Sequence, residues 1–185
     1  MRIIGGSARG RSYEAPEGMT TRPTLVRVRK SVFDALQFRI PGARILDLFS
    51  GSGGLGLEAA SRGAEHVLCN DVDRRTAALI RRNAEKVRLA DRVEVWQEDW
   101  QDALRRMKTM GLRFGLAFID APYFEGSGEK SIGELFSAGL IEPGGLVVWE
   151  HDASVTLPRL GDGVEVRWER TYGDVTVTML EKVEA

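Results

Sequence analysis

The sequence predicts a doubly wound α/β fold, with a mostly parallel sheet covered by helices on both faces and closed by an antiparallel hairpin. Two observations carry that expectation. Short apolar runs alternate with helical patterns from residue 44 onward, and several runs are almost continuously apolar, as strands buried on both faces must be. The last two segments, "VEVRWER" and "DVTVTMLE", instead alternate with period two and have only "TYG" between them, so they read as neighbouring antiparallel strands.

Taken in order, "RIIGG" and "RSYEAP" suggest a short N-terminal hairpin. In "LVRVRKSVFDALQF", Val28, Val32 and Leu36 recur every four residues with Phe33 alongside, which predicts a helix with one buried face, ended by Pro41-Gly42. Strand "RILDLF" follows, then helix "GLGLEAASRG", strand "HVLCN", helix "DRRTAALIRRNAEKVR", strand "VEVWQ", helix "WQDALRRMK" and strand "LAFID". A helix around "KSIGELFSAG" leads to strand "GLVVWE" and then to the hairpin. The expected division is a basic N-terminal extension over residues 1–40, hairpin and helix, ahead of a sheet domain over residues 41–185.

A chain of 185 residues, 43% hydrophobic and 29% charged, suits one globular unit. No apolar run is long enough to span a bilayer, and "MRIIGGSARGR" meets glycine and arginine before a hydrophobic signal region can form, so a cytoplasmic protein with no membrane partner is expected. The lone Cys69 excludes an internal disulfide and reads as a buried small residue. Nothing requires more than a monomer. Residues 1–30 hold seven basic side chains against two acidic ones, a balance of +5 in a chain of net charge -1. Such a basic arm suits contact with a polyanion, although an ordinary solvated face has the same composition.

The chemistry is concentrated in "DLFSGSGGLG". In open α/β sheets, ligands lie beyond the carboxyl ends of the strands, and the glycines from Gly51 to Gly56 would sit there, ahead of a helix whose free N–H groups favour an anion. NAD and S-adenosylmethionine both satisfy that much. Asp47 stands on the strand four residues before Gly51, where a carboxylate suits the cationic amino group of S-adenosylmethionine and is awkward beside a pyrophosphate. Asp71, twenty residues after Gly51, can accept hydrogen bonds from both hydroxyls of a ribose in either cofactor, whereas Asp73 reads as a helix cap.

Asp120-Ala121-Pro122-Tyr123 follows the apolar run "LAFI". It departs by one residue from the D/N-P-P-Y/F signature of enzymes that methylate exocyclic or amide nitrogens. The lone pair of such a nitrogen is delocalised, so the Asp120 carboxylate and the Ala121 carbonyl are suited to accept its two hydrogens and hold it in line with a sulfonium methyl, while Tyr123 stacks on the base.

These stretches, with "RIIGGSARGR", "TRPTLVRVRKSVFDAL" and "DLFSGSGGLGLEAASRGA", resemble the RsmD-type small-subunit ribosomal RNA guanine-N2 methyltransferases over nearly the whole chain. The resemblance implies a Rossmann-like S-adenosylmethionine-dependent methyltransferase fold, with a mostly parallel seven-stranded sheet, a C-terminal antiparallel hairpin and a small N-terminal extension. It assigns Asp47, Ser50, Gly51, Gly53 and Gly56 to the cofactor loop and Asp71 to the ribose. Asp99 would read the adenine amino group, with Val72 and Trp100 flanking the ring. It assigns Asp120, Ala121, Pro122 and Tyr123 to the catalytic loop, where the family usually has proline at position 121, and it expects a more polar residue at Leu25 or Val26. It makes 16S ribosomal RNA in the small subunit the partner and places the Arg22 to Lys30 segment near the active site; with the basic arm, this predicts phosphate contacts by Arg9, Arg11, Arg22, Arg27 and Arg29. No metal is called for. Methylation of adenine N6, cytosine N4 or a protein glutamine amide remains an alternative, as do an NAD-dependent oxidoreductase and a non-catalytic RNA-binding relic.

Overall fold

The computed structural model describes residues 1–18, 23–122 and 126–183. Along them run α1 (Pro23–Ala35), β1 (Arg44–Asp47), α2 (Gly54–Ser61), β2 (His66–Asn70), α3 (Arg74–Lys86), β3 (Val93–Trp96), α4 (Trp100–Thr109), β4 (Phe114–Ile119), α5 (Ser127–Ser137), β5 (Ile141–Asp152), β6 (Val164–Tyr172) and β7 (Val175–Lys182). The strands form one seven-stranded sheet in the order β3-β2-β1-β4-β5-β7-β6. The first five are mutually parallel, and β7 enters antiparallel between β5 and β6. The expected hairpin is present.

Strand burial follows position in the sheet. Central β1 and β4 are buried on both faces, so their residues are apolar without alternation; β3 and β6, at the two edges, keep exposed charged positions. One core packs α1, α2 and α3 against Phe118, Val148, Val177 and Met179, with the Phe33 and Phe118 rings 5.6 Å apart. The other packs α4 and α5 against Leu46, Leu68, Ala117 and Trp149. A register shift in β6 between Val166 and Trp168 sends Val164 to the second core and Trp168 to the first, which a strictly alternating strand could not do. Burial pushes the Cys69 thiol up, as expected of an inert core residue.

The N-terminal segment is built into this framework. Ile3 N–H donates to Arg11 O and Tyr13 N–H to Met1 O, both at 3.0 Å, and Arg2 bridges Ser12. This loose hairpin docks on α2 because the fully buried Glu58 accepts Ile4 and Gly5 N–H at 2.8 Å and pairs with Arg62 Nε at the same distance. Gly6, at φ +77°, lies so close to α2 that a Cβ would stand 1.9 Å from Ser61 O. Glu58→Ala leaves two part-buried N–H groups and Arg62 without their acceptor, so it is expected to cost about 2–4 kcal/mol in urea unfolding.

Candidate active site

The strand order reverses at β1, with β2 on one side and β4 on the other, so a crevice opens at their carboxyl ends. Its volume is about 900 Å³, enough for an adenosine-bearing cofactor and part of a second substrate. Phe49 to Ser52, Asp71, Val72, Glu98, Asp99 and Trp100 line it beyond β1, β2 and β3, and Asp120, Ala121, Pro122 and Glu150 line it beyond β4 and β5; Leu25, Val26 and Arg29 of α1 complete the wall, with Arg29 beside Gly54.

The loop after β1 is fixed from both sides. Ser50 Oγ donates to Asp47 O at 2.7 Å, and Gly51 N–H donates to Asp71 Oδ2 at 3.0 Å. Gly51 has φ +54° and only open space where a Cβ would point, so its backbone is bare toward the cavity. The other Asp71 oxygen accepts Asp73 N–H, which sets the plane of the carboxylate and leaves lone pairs for a ribose diol. Burial raises the Asp71 pKa despite those bonds. Asp73 caps α3 through Thr76 N–H at 2.7 Å, as its position suggested.

Other residues of the loop have different duties from those read in the sequence. Gly56 does not touch the crevice: a Cβ there would stand 2.5 Å from Cys69 Sγ, so its lack of a side chain lets α2 lie close on β2. Gly53, at φ +81°, turns the chain into α2 against Ile80. Asp47 is wholly buried behind the crevice wall, with Oδ2 accepting Gly56 N–H at 3.1 Å and Oδ1 unpartnered. Burial, reinforced by the charges of Asp120 and Asp71, pushes its carboxyl up to about 7. Asp99 lines the crevice and also caps α4 through Gln101 N–H at 2.9 Å, a local role that the motif did not reveal. Val72 is 64% exposed and lines the crevice together with Trp100 and Phe49. Phe49, 6.5 Å from the Trp100 ring, was missed; its place beside the glycines was the available signal.

These residues fit S-adenosylmethionine. The orphaned Asp47 oxygen marks an electronegative position below the loop suited to a cationic group, Asp71 offers a carboxylate edge, and the Val72 and Trp100 walls suit a purine.

Asp120 leaves β4 on the same face as Phe118, and the register Phe118↔Val148 and Ile119↔Trp149 brings Glu150 of β5 alongside. Solvent reaches Asp120 through the crevice, yet the surrounding protein displaces enough water to raise its pKa; burial and the neighbouring Asp120 charge raise that of Glu150. His151 points to the opposite face, stacked on Trp149 and bonded to Thr178 Oγ1 at 2.9 Å. Ala121 is buried, and Pro122 is exposed at the mouth; Tyr123 lies outside the described residues.

The basic side chains divide. Arg9 and Arg27 are exposed and unengaged by the described residues, and Arg11 donates to Val87 O at 2.6 Å. Arg29 differs from the expected surface contact: it lines the crevice, bonded to the Tyr13 hydroxyl and, at 2.9 Å, to Arg2 O. Arg22 lies outside the described residues.

A seven-stranded sheet of this order, with a glycine loop, an acid after β2 and an Asp-x-Pro turn around one crevice, defines an S-adenosylmethionine-dependent methyltransferase. The family described as "Conserved hypothetical protein 95" matches residues 1–181, and the chain belongs to it; this is the RsmD family that the motifs resembled. Bacillus subtilis YlbH, provisionally named an rRNA methyltransferase, is 38% identical over 98% of this chain and 99% of its own. Escherichia coli ribosomal RNA small subunit methyltransferase D is 30% identical over 98% and 90%. The solved Escherichia coli protein yhhF, provisionally a methyltransferase, superposes with a TM-score of 0.90 at 30% identity, covering 100% of this chain and 99% of that one. Among the described residues no helix is long and apolar enough to cross a membrane.

Proposed function

We propose that this protein transfers a methyl group to the exocyclic N2 of a guanine in 16S ribosomal RNA, within an assembled or partly assembled small subunit. The observation that carries the reading is the placement of Asp120-Ala121-Pro122 in the same crevice as the glycine loop and Asp71. The names of the relatives, rRNA methyltransferases, support an RNA acceptor.

S-adenosylmethionine, when bound, supplies an electrophilic methyl on a sulfonium. Gly51 and Asp71 hold its adenosine portion, with Asp99 at the adenine edge and Val72 and Trp100 against the ring faces. Asp120 and the Ala121 carbonyl accept the two amine hydrogens and turn the nitrogen lone pair toward the methyl carbon. Transfer to nitrogen would leave the C–S electron pair on sulfur, and Asp120 or water would take the N2 proton. Alanine at 121 keeps the accepting carbonyl and relaxes only the φ that proline would lock. The target base is normally stacked, so it must be flipped out or presented in a loop. Leu25 and Val26, 43% and 45% exposed at the crevice mouth, give that base an apolar wall.

The test is incubation of labelled S-adenosylmethionine with unmodified small-subunit rRNA, naked and as an assembled particle. Label should enter RNA, and more of it in the particle; no label in either, with the cofactor bound, overturns the reading. Replacing exposed Arg9 and Arg27 by alanine is expected to flatten the salt dependence of RNA affinity by about two in log–log slope. An unchanged slope in a filter-binding titration would remove these residues from the interface.

A further inference from the structure

We propose that Glu150 reads the ring nitrogen next to the reacting amine and thereby restricts the enzyme to guanine, a proposal that rests on Asp120 being the group that orients that amine. The two side chains sit on neighbouring parallel strands, one rung beyond Ile119↔Trp149, and both line the crevice under α1. Strands in a sheet are about 4.8 Å apart, so the two residues stand side by side in the crevice wall and their carboxyls can converge on one base edge. Val148 and Val177 flank Glu150 on the same face, giving a planar ring apolar ground to lie against. Neighbouring His151 is turned away and engaged, so Glu150 is the titratable side chain that this part of β5 presents to the crevice.

The chemistry of the edge then selects the base. Beside the exocyclic amine, guanine carries N1–H, a donor. Adenine has bare N1 beside its N6 amine, cytosine has bare N3 beside N4, and a glutamine amide has its carbonyl oxygen; all three are acceptors. A carboxylate can only accept. An ionised Glu150 pairs with guanine N1–H and sets its charge against a lone pair in each of the others, which is the kind of mismatch that discriminates most strongly in a buried polar site. The described residues give the Glu150 carboxyl no hydrogen bond, and burial together with the Asp120 charge pushes its pKa up to about 8, so selection by the ionised form is strongest above that pH, or where donation from N1–H of the bound guanine drives the proton off. A donor arriving from the base supplies what the protein has not.

The test uses two acceptor RNAs that differ only at the nucleotide the wild-type enzyme methylates: one carries guanine there, the other 2-aminopurine. 2-Aminopurine keeps the amine but has a bare N1 and lacks O6. Wild-type enzyme is expected to favour guanine by about a hundredfold in kcat/KM. Glu150→Gln presents an amide able to donate or accept, so the preference should shrink to about tenfold or less. Because both enzymes meet the same pair of RNAs, the missing O6 cancels from the comparison. S-adenosylmethionine affinity and melting temperature report whether the variant is intact. An undiminished preference in Glu150→Gln overturns the role of Glu150 while leaving guanine methylation standing. Absence of N2-methylguanosine from the wild-type reaction overturns both.

Discussion

Asp120→Ala is expected to lower methyl-transfer turnover by about a thousandfold while S-adenosylmethionine binds within about threefold of wild type. The asymmetry follows from where Asp120 stands. It follows β4, whereas Asp71 and the glycine loop follow β2 and β1, so its carboxyl is not one of the groups assigned to adenosine and reaches the cofactor side only through its charge on Asp47. What disappears is the acceptor that keeps a weakly nucleophilic amine pointed at the methyl carbon, together with a nearby base for its proton. Asp120→Asn should recover part of the rate, since its amide oxygen still accepts one hydrogen bond. Single-turnover assays paired with calorimetric cofactor titration separate the two effects, and near-normal turnover of the alanine variant would sink the assignment.

Asp47→Asn is expected to stabilise the cofactor-free protein at pH 8 while weakening S-adenosylmethionine binding by about tenfold. The buried carboxyl has its pKa raised from 3.8 to about 7, so between those values the folded state holds a proton that the unfolded chain has released. Folding stability therefore falls as pH rises through that window and is flat above it. The width of the window sets an upper bound of about 4 kcal/mol on the loss that asparagine removes. The amide oxygen still accepts the Gly56 N–H, so the loop keeps its anchor. Melting curves should coincide near pH 4 and separate steadily toward pH 7, with asparagine the more stable. A gap that did not depend on pH would mean that Asp47 stays ionised throughout. This residue thus opposes folding in return for an electronegative position beneath the loop.

The sheet was legible because each strand announces its surroundings. Continuous apolar runs such as "LAFI" meet helices on both faces, while the alternation of "DVTVTMLE" marks a strand inserted without a helix. Helix limits were less so: α1 ends at Ala35 although apolar spacing continues to Leu36, because a turn takes the chain to Pro41. The glycine spacing told where the loop lies but not what each glycine does. Gly51 is bare toward the cavity, whereas Gly56 is required by the sulfur of Cys69, a contact between elements that local pattern cannot show. Arg29 was legible as a charge and not as a crevice wall, since its partner Tyr13 is reached only when the N-terminal segment folds back. The pairing of Glu150 with Asp120 was hidden for a related reason. It comes from the β4–β5 register, which sets the two side by side across thirty residues of chain.

The central claim is that one crevice joins the methyl donor to a guanine amine. Mass-spectrometric nucleoside analysis of unmodified small-subunit rRNA, after reaction with S-adenosylmethionine carrying a deuterated methyl, tests it most directly. The account predicts deuterated N2-methylguanosine as the single labelled nucleoside, lost in Asp120→Ala. Label in N6-methyladenosine or N4-methylcytidine instead would contradict it.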